Sequence, residues 1–107
     1  PDPRPEPFGT AQDLPTVFAL HDNVPNPFNP ITTLYFDLPQ AAHVSITVLD
    51  IRGRRVRTLL SEPRDAGRHD VAWDGTDDTG RRVPSGVYFA AMQAGEFRQM
   101  TKMVLMK

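Results

Sequence analysis

The chain has no cysteine, which excludes disulfides, zinc-thiolate sites and thiol catalysis and leaves its redox compartment open. No run approaches the ~18 apolar residues needed to span a bilayer, so membrane insertion is not expected. Charge of one sign is lacking too. With a net charge of −1 there is no field to draw the protein to nucleic acid or an anionic membrane, and neither is expected as a partner. Histidine is sparse and scattered, as His21, His43 and His69. Only His69 falls on an inward strand face, and its neighbour Asp70 points the opposite way. No Gly-x-Ser-x-Gly turn supplies a nucleophile. These gaps argue against an enzyme. Pro1 to Pro7 form neither a charged nor an apolar leader, so if the protein is exported, its signal lies upstream or has been removed.

Proline, in contrast, is plentiful: eleven residues, four of them among the first seven. Residues 1–16 therefore read as an extended, polyproline-like linker with little to bury. Its abrupt start leads to the expectation that these residues end a longer polypeptide, although a chain cut at this point would look the same. The remaining residues, 17–107, have the size of one domain with one core.

From Ile31 to Leu38 the chain alternates, with Leu34, Phe36 and Leu38 on one face. From Val44 to Asp50 it alternates again, with Val44, Ile46 and Val48 together. The spacing predicts two strands joined by a short hairpin loop at Gln40 to His43. Arg55 to Leu60 also fits helical spacing, but the run between Gly53 and Pro63 is too short for a helix and predicts a strand. Its Arg54, Arg55 and Arg57 read as a solvated or edge-protecting face. Glu62 to Ala66 is expected to turn.

The stretch Gly67 to Phe89 predicts a hairpin-like unit. His69-Val71-Trp73 and Val87-Phe89 form its strands and an Asp/Gly/Thr loop lies between them. Gly95-Glu96 then reverses the chain into a last strand from Phe97 to about Met106. About seven short strands and no helix imply an all-β antiparallel sandwich of the immunoglobulin type. Its expected core comprises Phe36, Ile46, Val48, Trp73, Val87 and Phe89.

Two stretches remain as candidate sites. Asp74, Asp77 and Asp78 gather three carboxylates on one loop beside two threonines, a composition that could offer oxygens to Ca²⁺. The loop lacks the EF-hand frame, and Asx-turns account for the same composition, so the expectation is no cofactor, with Ca²⁺ as the minority reading. The segment HDNVPNPFNP, residues 21–30, can lie only at a sheet edge because its prolines donate no hydrogen bonds. Phe28 is its expected core anchor, and Asn26 and Asn29 are expected to close local turns.

Six blocks stand in order along the chain: PNPFNP from Pro25, Val48-Leu49-Asp50-Ile51 leading to Gly53-Arg54-Arg55-Val56, Ala66-Gly67-Arg68-His69, Trp73-Asp74-Gly75, Ser85-Gly86-Val87-Tyr88-Phe89 and Lys102-Met103-Val104-Leu105. Together they resemble the C-terminal sorting domains of proteins exported by the type IX secretion system. That family is related in pattern to the Ig-like domain of the flagellar hook-capping protein. The resemblance implies a seven-stranded Ig-like domain that ends an exported protein of the Bacteroidetes type and acts as its address, without catalysis.

The implied partners are the type IX translocon, a sortase-like peptidase cutting within residues 1–16, and a cargo domain upstream in the same precursor. The implied location is the cell surface, reached through the periplasm. Pro25, Asn26, Pro27 and Phe28 then form the opening motif, Gly53 lies in the second block, and Gly86, Tyr88 and Lys102 to Lys107 form the closing motif. Two other roles stay open. One is hook capping, which would require a partner domain and axial assembly. The other is a structural or adhesion module that self-associates by strand addition at its first or last strand.

Overall fold

The computed structural model describes residues 14–106; residues 1–13 of the expected linker at 1–16 and the terminal Lys107 lie outside the described residues. Among the described residues the chain forms seven strands and no helix. They are β1 (Ala19–Leu20), β2 (Thr32–Leu38), β3 (Ala42–Leu49), β4 (Arg55–Arg64), β5 (Gly67–Trp73), β6 (Gly86–Ala94) and β7 (Phe97–Leu105). Two antiparallel sheets, ordered β1-β2-β5 and β4-β3-β6-β7, make up an Ig-like sandwich.

Alternation decides which side chains meet between the sheets. Leu34, Phe36 and Leu38 of β2 and Val44, Ile46 and Val48 of β3 are fully buried, while Tyr35 and His43 between them face solvent. Both strands present their apolar face to the same core from opposite sides. The chain therefore changes sheet at Pro39 to Ala41, and the expected β2–β3 hairpin is replaced by a crossover. The same correction applies to the Gly67 to Phe89 unit: β5 pairs with β2, whereas β6 pairs with β3 and β7. The Asp-rich loop thus bridges two sheets.

The ambiguous arginine run is a strand, and a longer one than expected. β4 continues through Glu62 and Pro63 to Arg64, so the following turn is confined to Asp65 and Ala66. Proline is tolerated there because β4 lies at the edge of its sheet and the missing donor can face outward.

Of the expected core, Phe36, Ile46, Val48 and Trp73 are buried. Val87 and Phe89 are not: they are half-exposed on the outer face of β6, and Tyr88, Ala90, Met92 and Ala94 point inward. The strand is apolar in both phases, so alternation alone does not choose a face. The choice follows from the hairpin closed by Gly95-Glu96, which pairs Tyr88 with the buried Met103 and Ala90 with the buried Thr101. A side chain shares its face with its cross-strand partner, and the exposed members Arg98, Met100 and Lys102 alternate on the other side. Trp73 sits between Phe28, 5.6 Å away, and the edge of Tyr88, 5.3 Å away. This is the aromatic centre of the core.

Candidate functional site

The opening and closing motifs, far apart in sequence, meet along the outer edge of β7. In the β6–β7 hairpin the residues flanking the two-residue turn, Ala94 and Phe97, are paired. Alternate residues from Phe97 onward therefore bond to β6, and the even-numbered ones turn their N–H and C=O outward.

The proline segment occupies the end of that edge. Phe28 N–H donates to Val104 O and Met106 N–H donates to Phe28 O, both at 2.9 Å. Asn26 acts as a second clasp: its Nδ2 donates to Lys102 O at 3.2 Å and its Oδ1 accepts from Val104 N–H at 3.0 Å. Asn26 was expected to close a local turn; instead its amide stands in for a strand backbone 78 residues away. Prolines flank it on both sides, and the peptide bonds preceding Pro25, Pro27 and Pro30 are cis. The segment is itself anchored, since Thr32 Oγ1 donates to Pro25 O at 2.8 Å and the buried Phe28 ring enters the core.

Further along, β7 is sewn to β1 of the opposite sheet. Gln99 Nε2 donates to Leu20 O at 3.0 Å, and Leu20 N–H donates to Gln99 Oε1 at 3.3 Å. Thr101 Oγ1 donates to Asp22 at 3.1 Å. Phe18 and Phe97 stack at 5.5 Å where this seam ends. Sequence reasoning missed Gln99, Thr101 and Asp22. Only a polar residue among apolar ones on the inward face could have signalled them, and Thr101, in phase with the buried Met103 and Leu105, is such a residue.

The Asp-rich loop closes the opposite seam, between β5 and β4. Asp78 N–H donates to Val56 O, and Thr58 N–H donates to Asp78 Oδ1, each at 3.0 Å. Arg57 donates to Thr76 Oγ1 and to Asp77 O, and Arg55 pairs with Asp78 at 3.4 Å. The three carboxylates do not converge. Asp74 accepts from the Thr76 hydroxyl at 2.6 Å, Asp77 from Thr79 and from Arg81 N–H, and Asp78 faces β4. Among the described residues no group of three His, Asp or Glu side chains is placed to hold a metal.

The Thr76 hydroxyl, with Arg57 beside it, holds the Asp74 carboxyl below the usual carboxylate range. The Thr79 hydroxyl and Arg81 N–H do the same for Asp77. Charge-assisted bonds of this kind favour the ionised form.

The other motif residues are distributed differently. Tyr88 belongs to the core: its hydroxyl donates to Pro84 O at 2.7 Å. Burial, with the Asp50 carboxylate adding to it, pushes its phenol above the ordinary value. Gly53, in the β3–β4 turn, and Gly86, at the start of β6, have φ of +82° and +150°. A side chain strains that backbone, although nothing lies within 4 Å of either added Cβ. Pro25, Pro27 and Lys102 are exposed. Lys102 contributes its carbonyl to the clasp while its side chain stays in water.

Two antiparallel sheets tied to each other by loop and edge side chains make up an Ig-like sandwich. The family model for the FlgD Ig-like domain matches residues 30–96. That is more than half of the chain, which belongs to this family.

The basal-body rod modification protein FlgD of Salmonella typhimurium is 43% identical over 54 residues, a match taking in 50% of this chain and 23% of that protein. This chain therefore corresponds to a minor part of its flagellar relative. Among solved structures, FlgD from Xanthomonas campestris, described in terms of hook capping in flagellar assembly, superposes with a TM-score of 0.58 at 24% identity. It covers 82% of this chain and 64% of its own. PorZ, a surface component of the type-IX secretion system of Porphyromonas gingivalis, superposes with a TM-score of 0.55 at 21% identity, covering 84% of this chain and 11% of its own. At these identities the two structures share the fold.

Proposed function

We propose that this domain is a non-catalytic assembly module of the FlgD Ig-like kind, carried by a longer exported protein and working by being held by other proteins. One observation carries this reading. The polar side chains that the sequence offers for chemistry, Asn26, Asp74, Asp77, Asp78 and Tyr88, each bond to the chain itself and serve to close the sandwich. The sequence comparisons favour the flagellar form of this role, an Ig-like part of a hook-capping protein.

A second reading rests on a different observation. The opening motif, Pro25 to Phe28, and the last part of the closing one, Lys102 to Met106, lie outside the matched residues 30–96, yet they are brought together in one clasp. A composite of both chain ends suits an address that is read only once the domain has folded. In that role the partners are the type IX translocon, a sortase-like peptidase and the upstream cargo, and the destination is the cell surface by way of the periplasm. PorZ, a neighbour in fold, belongs to that system.

Two transplantations separate the roles. In the first, the chain replaces the Ig-like domain of FlgD in a motile host, and swarming is measured. In the second, it is fused to a periplasmic reporter in a type IX-competent host, and surface reporter is measured with and without Asn26→Ala. Restored swarming with the reporter left in the periplasm supports hook capping. Surface delivery that Asn26→Ala reduces supports the address. Failure of both counts against an assembly module of either kind.

A further inference from the structure

Between its two closures the edge of β7 is open. Val104 and Met106 are bonded to the proline segment, and Gln99 and Thr101 reach β1 and Asp22 through their side chains. The outward N–H and C=O groups of Arg98 and Met100, and the outward N–H of Lys102, have no partner among the described residues. Five adjacent backbone groups form a short template for an added strand. The other edges suit such a segment less: β4 is covered by Asp78 at Val56 and Thr58 and carries Pro63, β1 has only two residues, and β5, the far edge of the three-stranded sheet, exposes Arg68 and Asp70 of opposite sign, so it selects no one charge.

We propose that this window accepts an extended segment of another protein, in which an apolar residue is flanked at alternate positions by acidic ones. Residues on an added strand directly opposite Arg98, Met100 and Lys102 share the outer face with them. All three of these side chains are exposed, so two cations flank one apolar side chain. The acidic residues meet Arg98 and Lys102, and the central one packs on Met100 beside Ala91, its partner on β6. Met100 itself borders a shallow groove of ≈ 540 Å³ that continues across the outer face of the sheet along Ala91, Ser45 and Thr47, which leaves its side chain room to adjust to that neighbour.

The same charges argue against a second copy of this chain. Two β7 strands paired antiparallel about Met100 would set Arg98 directly opposite Lys102 at both ends, a repulsive arrangement. The proposal goes beyond the assembly role, since it holds whichever assembly the domain serves.

The test uses the full chain and a labelled, end-blocked nine-residue peptide in which threonines alternate with a central glutamate, valine, glutamate series. Fluorescence anisotropy measures binding, and amide NMR maps it. Binding should perturb Arg98 to Lys102 and weaken with salt. It should fall by about tenfold or more in Met100→Pro, which removes an outward donor from an edge strand. A thermal melt checks that this variant stays folded. The double variant Arg98→Glu with Lys102→Glu should transfer preference to the peptide carrying lysines in place of glutamates, and it decides the matter if Met100→Pro unfolds. The proposal is overturned by no binding, by binding mapped elsewhere, by full binding in a folded Met100→Pro, by unchanged peptide preference in the double variant, or by a wild-type dimer joined through β7.

Discussion

The two seams of the sandwich solve one problem with different chemistry. Each must tie the edge of one sheet to the other and satisfy the backbone groups left there. The β1–β7 seam uses mainly neutral amides and main chain, Asn26 and Phe28 on Lys102, Val104 and Met106, and Gln99 on Leu20, with the Thr101 hydroxyl on Asp22 as its contact to a carboxylate. The β5–β4 seam uses carboxylates and arginines: Asp78 on Thr58 and Arg55, and Arg57 on the loop carbonyl of Asp77. Amide clasps are indifferent to pH and nearly so to salt, whereas exposed ion pairs respond to both. The first seam joins the two ends of the domain and so makes the fold depend on its last strand. The second fastens a loop that crosses between the sheets.

The largest expected effect comes from removing the point where the neutral seam enters the core. Phe28 is 2% exposed and touches Trp73, so Phe28→Ala should cost about 3 to 5 kcal/mol in urea denaturation. Asn26→Ala leaves the core intact and removes two hydrogen bonds, and it should cost about 1 to 2 kcal/mol. That loss should be the same in low and high salt. Asp78→Ala, on the charged seam, should cost about 0.5 to 1 kcal/mol and lose part of this effect in high salt. If Asn26→Ala proves the salt-sensitive variant of the two, the contrast between the seams fails.

Acid sharpens the comparison further. Asp74 and Asp77 titrate below the ordinary value of 3.8. The stability they carry is therefore fully present above that pH and is lost as pH falls through their lowered folded values. The melting temperature of wild type and of Asn26→Ala should decline together below about pH 4. The Asp74→Asn, Asp77→Asn double variant should show a shallower decline. Calcium should do least. The three carboxylates are directed to separate partners, so millimolar Ca²⁺ should leave the melting temperature unchanged.

Much of the architecture was legible because a strand buried on one side must alternate. The inward faces of β2 and β3, the single tryptophan at the centre and the turn at Gly95-Glu96 all follow from local pattern. Where pattern gave no choice the reading failed. β6 is apolar in both phases, and the pairing of Tyr88 with Met103 decided which face turns inward. The two expected hairpins are crossovers because loop composition does not say which sheet the next strand joins.

The site shows the same division. The two motifs were visible as separate blocks, and Phe28 as an anchor, but nothing local announces that Asn26 reaches Val104 or that Gln99 reaches Leu20. Side-chain periodicity and turn chemistry act over a few residues, so the strands, most of their buried faces and the class of fold were legible in the order of residues. Contacts between residues nearly eighty positions apart depend on how the two sheets come together. For that reason the tertiary structure alone decided which edges are closed and which stretch of β7 stays open.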